Sequence, residues 1–173
     1  MIQYIDMTHT EGCFGIIPEN GEELVFTGVT VNSMPVSVKV KEGKAYEDFA
    51  QKYGISFIFD DALPALDFYT IPRVDVAAVD DEGGFIGSVN EPFTLNHPVP
   101  LVYISNKRKC YLITSDSTQF LSMASTWKNT LTDYPDVTVF ENKKTAKQEY
   151  DIIDFEQTQT YQNYLKYLNQ RGF

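Results

Sequence analysis

The sequence predicts an α+β fold, in which a mainly antiparallel central sheet carries helices packed on it. The sheet is predicted by two strand pairs within residues 74–114, in each of which two short apolar strands are joined by a polar turn. A further observation predicts the helices, since apolar residues recur at helical spacing directly after the second pair and again near the C-terminus. Hairpins that are adjacent in sequence favour this class over a parallel doubly wound sheet.

The first hairpin joins strands at Val74–Asp80 and Phe85–Val89 through a turn of two acidic residues and two glycines at residues 81–84. Successive strand side chains point to opposite faces, so regular alternation would place Asp75 and Asp80 on different sides of the sheet. Both faces of the first strand are largely apolar. We therefore expect this hairpin in the interior of the sheet.

The second hairpin joins Leu101–Ser105 to Cys110–Thr114 and is followed at once by a predicted helix. Ser115 or Asp116 can accept hydrogen bonds from the free backbone N–H groups at the helix start. The positions that would face the sheet are Phe120, Leu121, Ala124, Trp127 and Leu131.

Weaker patterns cover the rest of the chain. Val36, Val38 and Val40 alternate with polar residues, which predicts that Pro35–Lys41 forms a strand pair with Glu23–Thr30. The other predicted elements are a short helix at Lys44–Tyr53 stopped by Gly54, a strand at Ile55–Phe59, an extended segment at Asp136–Phe140 and a helix at Asp154–Gln170.

The length of 173 residues fits one domain spanning 1–173, since no linker, repeat or low-complexity stretch divides it. No apolar run approaches the roughly 20 residues of a membrane helix, and residues 1–8 lack the layout of a secretion signal. We therefore expect a cytoplasmic protein. Cys13 and Cys110 are far apart in sequence, and the apolar setting of Cys110 predicts a buried reduced thiol.

Charge is unevenly distributed along the chain. The net charge is −10, and the first 104 residues hold sixteen of the 24 acidic residues but only five of the 14 basic ones. Binding to phosphates needs clustered Lys and Arg, so this balance argues against nucleic acid or an anionic membrane as partner and favours a basic protein. The acidity is densest at Asp60, Asp61, Asp80, Asp81 and Glu82, which we predict to be partner-binding residues. Acidic loops that merely maintain solubility are the alternative interpretation.

No residue pattern predicts catalysis, a cofactor or a metal ion. The histidines His9 and His97 stand near no recognisable nucleophile, although a small hydrolase using His97 with a neighbouring carboxylate is an alternative that a concave pocket would support. The acidic residues at 75–82 lack the ligand spacing of a calcium loop. Gly83 and Gly84 are not part of a phosphate-binding pattern.

The order of the strand and turn motifs resembles the SUKH superfamily over about residues 60–131. The motifs that carry this resemblance are Phe68-Tyr69-Thr70-Ile71-Pro72, Val74–Asp80, Gly83-Gly84, Pro100-Leu101-Val102-Tyr103-Ile104, Tyr111-Leu112-Ile113-Thr114-Ser115-Asp116-Ser117 and Phe120-Leu121. The segment after Leu131 has no clear counterpart in the superfamily.

That superfamily includes relatives of a yeast regulator of cell-wall synthesis and many bacterial immunity proteins. The resemblance implies a non-enzymatic binding protein, typically one that neutralises a cognate toxin, often a nuclease. A regulatory adaptor on the same fold, with no toxin partner, is the alternative within this class. An adjacent toxin gene would favour the immunity protein over the adaptor.

Overall fold

The computed structural model describes residues 1–8, 21 and 23–171. The strands are β1 (Ile2–Asp6), β2 (Glu23–Thr27), β3 (Val29–Val31), β4 (Ile55–Phe57), β5 (Tyr69–Ile71), β6 (Val74–Asp80), β7 (Phe85–Val89), β8 (Leu101–Ile104), β9 (Cys110–Thr114), β10 (Thr132–Asp133), β11 (Thr138–Phe140) and β12 (Ile152–Asp154). The α-helices are α1 (Val36–Tyr53), α2 (Phe120–Met123), α3 (Lys143–Ala146) and α4 (Gln159–Gln170). Short 3₁₀ helices span Ser117–Gln119, Trp127–Thr130 and Phe155–Gln157.

The central sheet has seven strands in the order β10-β9-β8-β7-β6-β3, with β4 also beside β6. Strands β6 to β10 are antiparallel, and both predicted hairpins are present. The outer side of β6 is shared, because β3 pairs parallel with its first half and β4 pairs antiparallel with its second half. Helices and a mostly antiparallel sheet confirm the predicted α+β class.

Both faces of the central sheet are buried, as the apolar pattern of β6 and β8 predicts. One face packs against residues 58–68 and 134–139, with Phe68, Val76 and Val102 at its centre. The other face carries Ile86 and Leu101 and is covered by α1, α2 and Trp127. Two hydrophobic layers therefore flank one sheet.

The predicted strand at Pro35–Lys41 is wrong, because this segment is the first part of α1. Pro35 precedes the first helical residue with φ −58°, a conformation that proline supplies without loss of a helical hydrogen bond. The alternating valines do not mark a buried face, since Val40 is 81% exposed. The predicted helix end is confirmed: Gly54 adopts φ +67° and donates its N–H to Ala50 O.

The predicted helix after β9 is interrupted. Two 3₁₀ turns flank the single turn of α2, and Asp116 accepts a hydrogen bond from Thr118 N at 3.0 Å, as an N-cap residue does. Phe120, Ala124 and Trp127 are buried as expected. Leu121 is not, because it is 57% exposed on the other side of the turn.

A smaller parallel sheet in the order β12-β1-β2 and a β5–β11 pair complete the fold, and the sequence did not predict the parallel pairing. Buried Asp6 on β1 joins these parts, since it accepts hydrogen bonds from Tyr69 OH at 3.0 Å and from Lys143 Nζ at 2.5 Å. Lys143 also pairs with Asp154. One carboxylate thus links β1, β5 and α3.

Within the described residues, none of the helices combines the length and apolar character that crossing a membrane requires.

Candidate functional site

A β-bulge in β6 places Ala77 in the lining of a concave surface on one face of the central sheet. The pairing of β6 with β7 shifts between Val76 and Ala78, so Ala77 is an extra residue on its strand. The extra residue reverses the alternation of side-chain direction in the rest of the strand. Val79 therefore packs on the sheet face that carries Val76 and Val102. Asp80 points to the opposite face, where it contacts Tyr103. Asp75 and Asp80 therefore face the same side, which corrects the prediction of opposite faces.

Helix α1 forms one wall of a groove on that side. None of its 18 residues is buried, although Tyr46 and Phe49 turn toward Phe57 on β4. The ring centroids of Tyr46 and Phe57 are 5.8 Å apart, and those of Phe49 and Phe57 are 5.6 Å apart. These aromatic contacts attach the helix to the sheet edge and leave apolar surface open beside it.

The opposite wall is the loop that follows β7, and two buried polar side chains hold it in place. Asp75 accepts hydrogen bonds from Phe93 N at 2.6 Å and from Thr30 Oγ1 at 2.6 Å. Ser88 donates from Oγ to Glu91 O at 2.6 Å. Since these buried groups bind backbone atoms of the loop, the wall is fixed before any ligand arrives.

The groove between α1 and this loop has a volume of about 520 Å³, a size typical of ligand pockets. It is lined by Asn32, Met34, Glu42, Ala45, Tyr46, Phe49, Phe57, Ala77, Phe93, Thr94, Leu95, Asn96 and Leu121. Most of these side chains are apolar, and Glu42 is the one charged residue among them. Such a surface can accept large apolar side chains or an apolar ligand.

The sequence did not predict this groove. Its residues come from six separated stretches of the chain, so no local spacing brings them together. The available signal was the pair Phe93 and Leu95, two large apolar residues in the loop that follows β7. The apolar periodicity also did not reveal that Leu121, one residue after buried Phe120, is exposed.

Of the predicted partner-binding residues, Asp80 is unavailable to a partner. Its side chain is fully buried, and it accepts hydrogen bonds from Gly84 N at 2.6 Å and Tyr103 OH at 2.9 Å. Burial raises the pKa of Asp80, but these donors and Lys128 Nζ, 3.0 Å away, together hold that pKa below its ordinary value. Asp80 is a structural anchor of the hairpin turn.

Asp81 and Glu82 are exposed but share one cation. Lys128 Nζ lies 3.3 Å from the Asp81 carboxylate and 3.0 Å from that of Glu82. The same ammonium group also pairs with Asp80. The turn is therefore less negatively charged than its three acidic residues suggest.

Asp60 and Asp61 lie in a different turn. Asp60 accepts a hydrogen bond from Ser33, and Asp61 pairs with Lys39 Nζ at 2.8 Å. The antiparallel register places Ile55 beside Asp80, whereas Asp60 follows the other end of β4. At a rise of about 3.3 Å per residue, the two acidic turns are separated by more than about 10 Å. The structure does not bring the five predicted residues into one patch.

His97 does contact a carboxylate, with its Nε2 3.2 Å from Glu91 Oε2. The two side chains are 59% and 60% exposed, so the pair lies on an open surface and does not line the groove. In the described part of the chain, the His97 ring forms no hydrogen bond with a hydroxyl or thiol group. The other candidate base, His9, lies outside the described residues.

The remaining chemical candidates have ordinary structural settings. Cys110 is a buried free thiol, as predicted, and burial raises its pKa to about 12. Cys13 lies outside the described residues. Among residues 1–8, 21 and 23–171, no group of three His, Cys, Asp or Glu side chains is arranged to hold a metal ion.

No family model, curated protein or solved structure matches this chain.

Proposed function

We propose that this protein is a non-enzymatic binding protein that captures a basic protein partner by taking apolar side chains of that partner into the groove between α1 and the loop after β7. The observation that carries the proposal is the open aromatic groove, whose loop wall is held in advance by Asp75 and Ser88. Partners of this kind are bound chiefly through a few buried anchor residues.

Charge supports the choice of a basic partner. The chain carries −10 overall, and four of the predicted acidic residues, Asp60, Asp61, Asp81 and Glu82, are exposed. An acidic surface accelerates the encounter with a basic protein even where the acids make no direct contact in the complex. In this proposal the acids steer the partner and the groove holds it.

The resemblance of residues 60–131 to the SUKH superfamily supports a more specific role. An immunity protein that neutralises a basic, nuclease-type toxin inside the cytoplasm would combine both features. A regulatory adaptor would use the same groove on a partner that is not toxic. The two roles differ in whether the partner stops growth when it is produced without this protein.

The test is to block the groove and measure partner binding. Ala45 is exposed and lines the groove, so Ala45→Trp fills it without replacing a core residue. Burying one large apolar side chain is worth roughly 1.5–3 kcal/mol, so we expect the Kd to rise by about tenfold or more. The measurement is titration of the protein that co-purifies from the native cell.

The control is Ala65→Trp, which adds the same side chain at an exposed site away from the groove. It should leave the Kd within about twofold of the original value. Equal affinities for both tryptophan variants and the unmodified protein would exclude the groove as the binding site.

A further inference from the structure

Glu42 is the one charged side chain that lines the groove, and it has no ion pair or hydrogen bond among the described residues. It belongs to the stripe of α1 that contains Ala45, Tyr46 and Phe49, three, four and seven residues further along the helix. The carboxylate therefore stands at the mouth of an apolar cavity, on the helix face that forms its wall.

Two nearby cations of α1 are paired with other carboxylates, and a third, Lys41, is exposed and is not among the residues that line the groove. Lys39 Nζ lies 2.8 Å from Asp61, and Lys44 Nζ lies 3.0 Å from Asp48. The polar groups that share the groove with Glu42 are the neutral side chains of Asn32, Thr94 and Asn96. None of these neutralises a carboxylate.

An apolar cavity with one uncompensated negative charge at its edge selects for a particular ligand. Covering Glu42 with a purely apolar surface would remove water from the carboxylate and leave it without a partner, which is costly. A cation placed beside the apolar anchor removes that cost. The volume of about 520 Å³ accommodates a small cluster of large side chains, such as one face of an amphipathic helix presents.

We infer that the groove binds a cationic amphipathic helix of the partner, in which a Lys or Arg next to the apolar anchors pairs with Glu42. This inference rests on the proposed function and adds the chemistry of the segment that is recognised. The inferred ion pair is a specific role of Glu42, distinct from the general attraction between an acidic protein and a basic one.

The test uses three fluorescently labelled 18-residue peptides and measures their binding by anisotropy at physiological ionic strength. The first is an amphipathic Leu/Lys helix, the second replaces every Lys by Glu, and the third replaces every Leu by Ser. We expect only the Leu/Lys peptide to bind, with at least about tenfold higher affinity than either of the others.

Matched variants of α1 then locate the charge effect. Glu42→Lys should weaken binding of the Leu/Lys peptide by about tenfold, mainly through faster dissociation. Glu47→Lys makes the same charge change on the same helix outside the groove and should change the Kd by less than about twofold after screening by salt.

The outcomes separate this inference from the proposed function. If Ala45→Trp abolishes peptide binding but Glu42→Lys and Glu47→Lys have equal effects, the groove is the site and the role of Glu42 is wrong. Equal binding of the Leu/Lys and Leu/Glu peptides overturns the inference in the same way. If the Ser/Lys peptide binds as well as the Leu/Lys peptide, or Ala45→Trp has no effect, both proposals fail.

Discussion

Single residues define how the acidic turn between β6 and β7 is built. Tyr103 lies across Gly84 and reaches Asp80 with its hydroxyl, so a side chain at position 84 has no space. A Cβ there would lie 2.6 Å from Tyr103 Cζ, far inside van der Waals contact. Tyr103 is buried and cannot swing away freely, because its ring also packs against Trp127 at a centroid distance of 5.1 Å. The glycine is required by this close approach.

We therefore predict that Gly84→Ala lowers the free energy of unfolding by about 1–3 kcal/mol, since overpacking forces the ring away from Asp80. Urea-induced unfolding followed by the fluorescence of Trp127, the one tryptophan of the chain, measures the change. Adding Tyr103→Phe to the Gly84→Ala variant and to the unmodified protein separates overpacking of the ring from loss of the hydrogen bond to Asp80. It should have a smaller additional effect in Gly84→Ala than in the unmodified protein if the hydrogen bond is already broken.

Elements differ in how far local sequence determined them. The two hairpins and the end of α1 at Gly54 were predictable, because turn residues and apolar runs specify them within a few positions. The start of α1 was not, since Val36, Val38 and Val40 have a strand-like period on a helix whose outer face is exposed. The bulge at Ala77 depends on pairing with β7, and the groove depends on contacts between distant segments, so neither has a local signal.

Helix α1 is held mainly by aromatic contacts on one side, and we predict that its own helical propensity limits its stability. Gly43 lies within the helix, where a Cβ would find its nearest neighbour at Lys39 Cγ, 3.8 Å away. Gly43→Ala should therefore raise the free energy of unfolding by about 0.5–1 kcal/mol. Thermal unfolding measures the gain in stability. A lower stability of Gly43→Ala would contradict the prediction and show that α1 requires glycine at this position.

At the scale of the whole molecule, two buried aspartates hold separate parts of the fold through the same combination of partners. Asp6 binds Tyr69 and Lys143 in the region of the smaller sheet, and Asp80 binds Tyr103 and Lys128 at one end of the central sheet. Burial raises the pKa of Asp6, but the hydrogen bonds from Lys143 and Thr8 hold it below its ordinary value, as the donors around Asp80 do. Both groups are charged in the folded protein.

This arrangement predicts acid sensitivity below the ordinary aspartate pKa of 3.8. A carboxylate whose pKa is lower in the folded state contributes stability above the unfolded pKa, and that contribution is lost as pH falls toward the folded value. Through these two groups, the free energy of unfolding should be constant between about pH 5 and 7 and decrease below about pH 4.

The measurement is urea unfolding between pH 3 and 7. Asp80→Asn should cost about 1–3 kcal/mol at pH 7 and show a smaller decrease on acidification, because one of the two linked carboxylates is gone. Asp151→Asn, at an exposed site, should follow the original pH profile. If the free energy of unfolding of Asp80→Asn fell on acidification as much as that of the unmodified protein, Asp80 would not contribute to the acid sensitivity.

The loop wall of the groove is secured through its main chain, by the amide of Phe93 and the carbonyl of Glu91. Neither attachment requires a particular side chain at positions 94–96. Leu95 nevertheless packs against the core cluster of Ile86 and Leu101, and Thr94 Oγ1 accepts a hydrogen bond from Asn96 N at 3.1 Å. If the groove binds a partner as we propose, substitution of the Asn96 side chain changes the lining of the groove without removing either main-chain attachment of its wall.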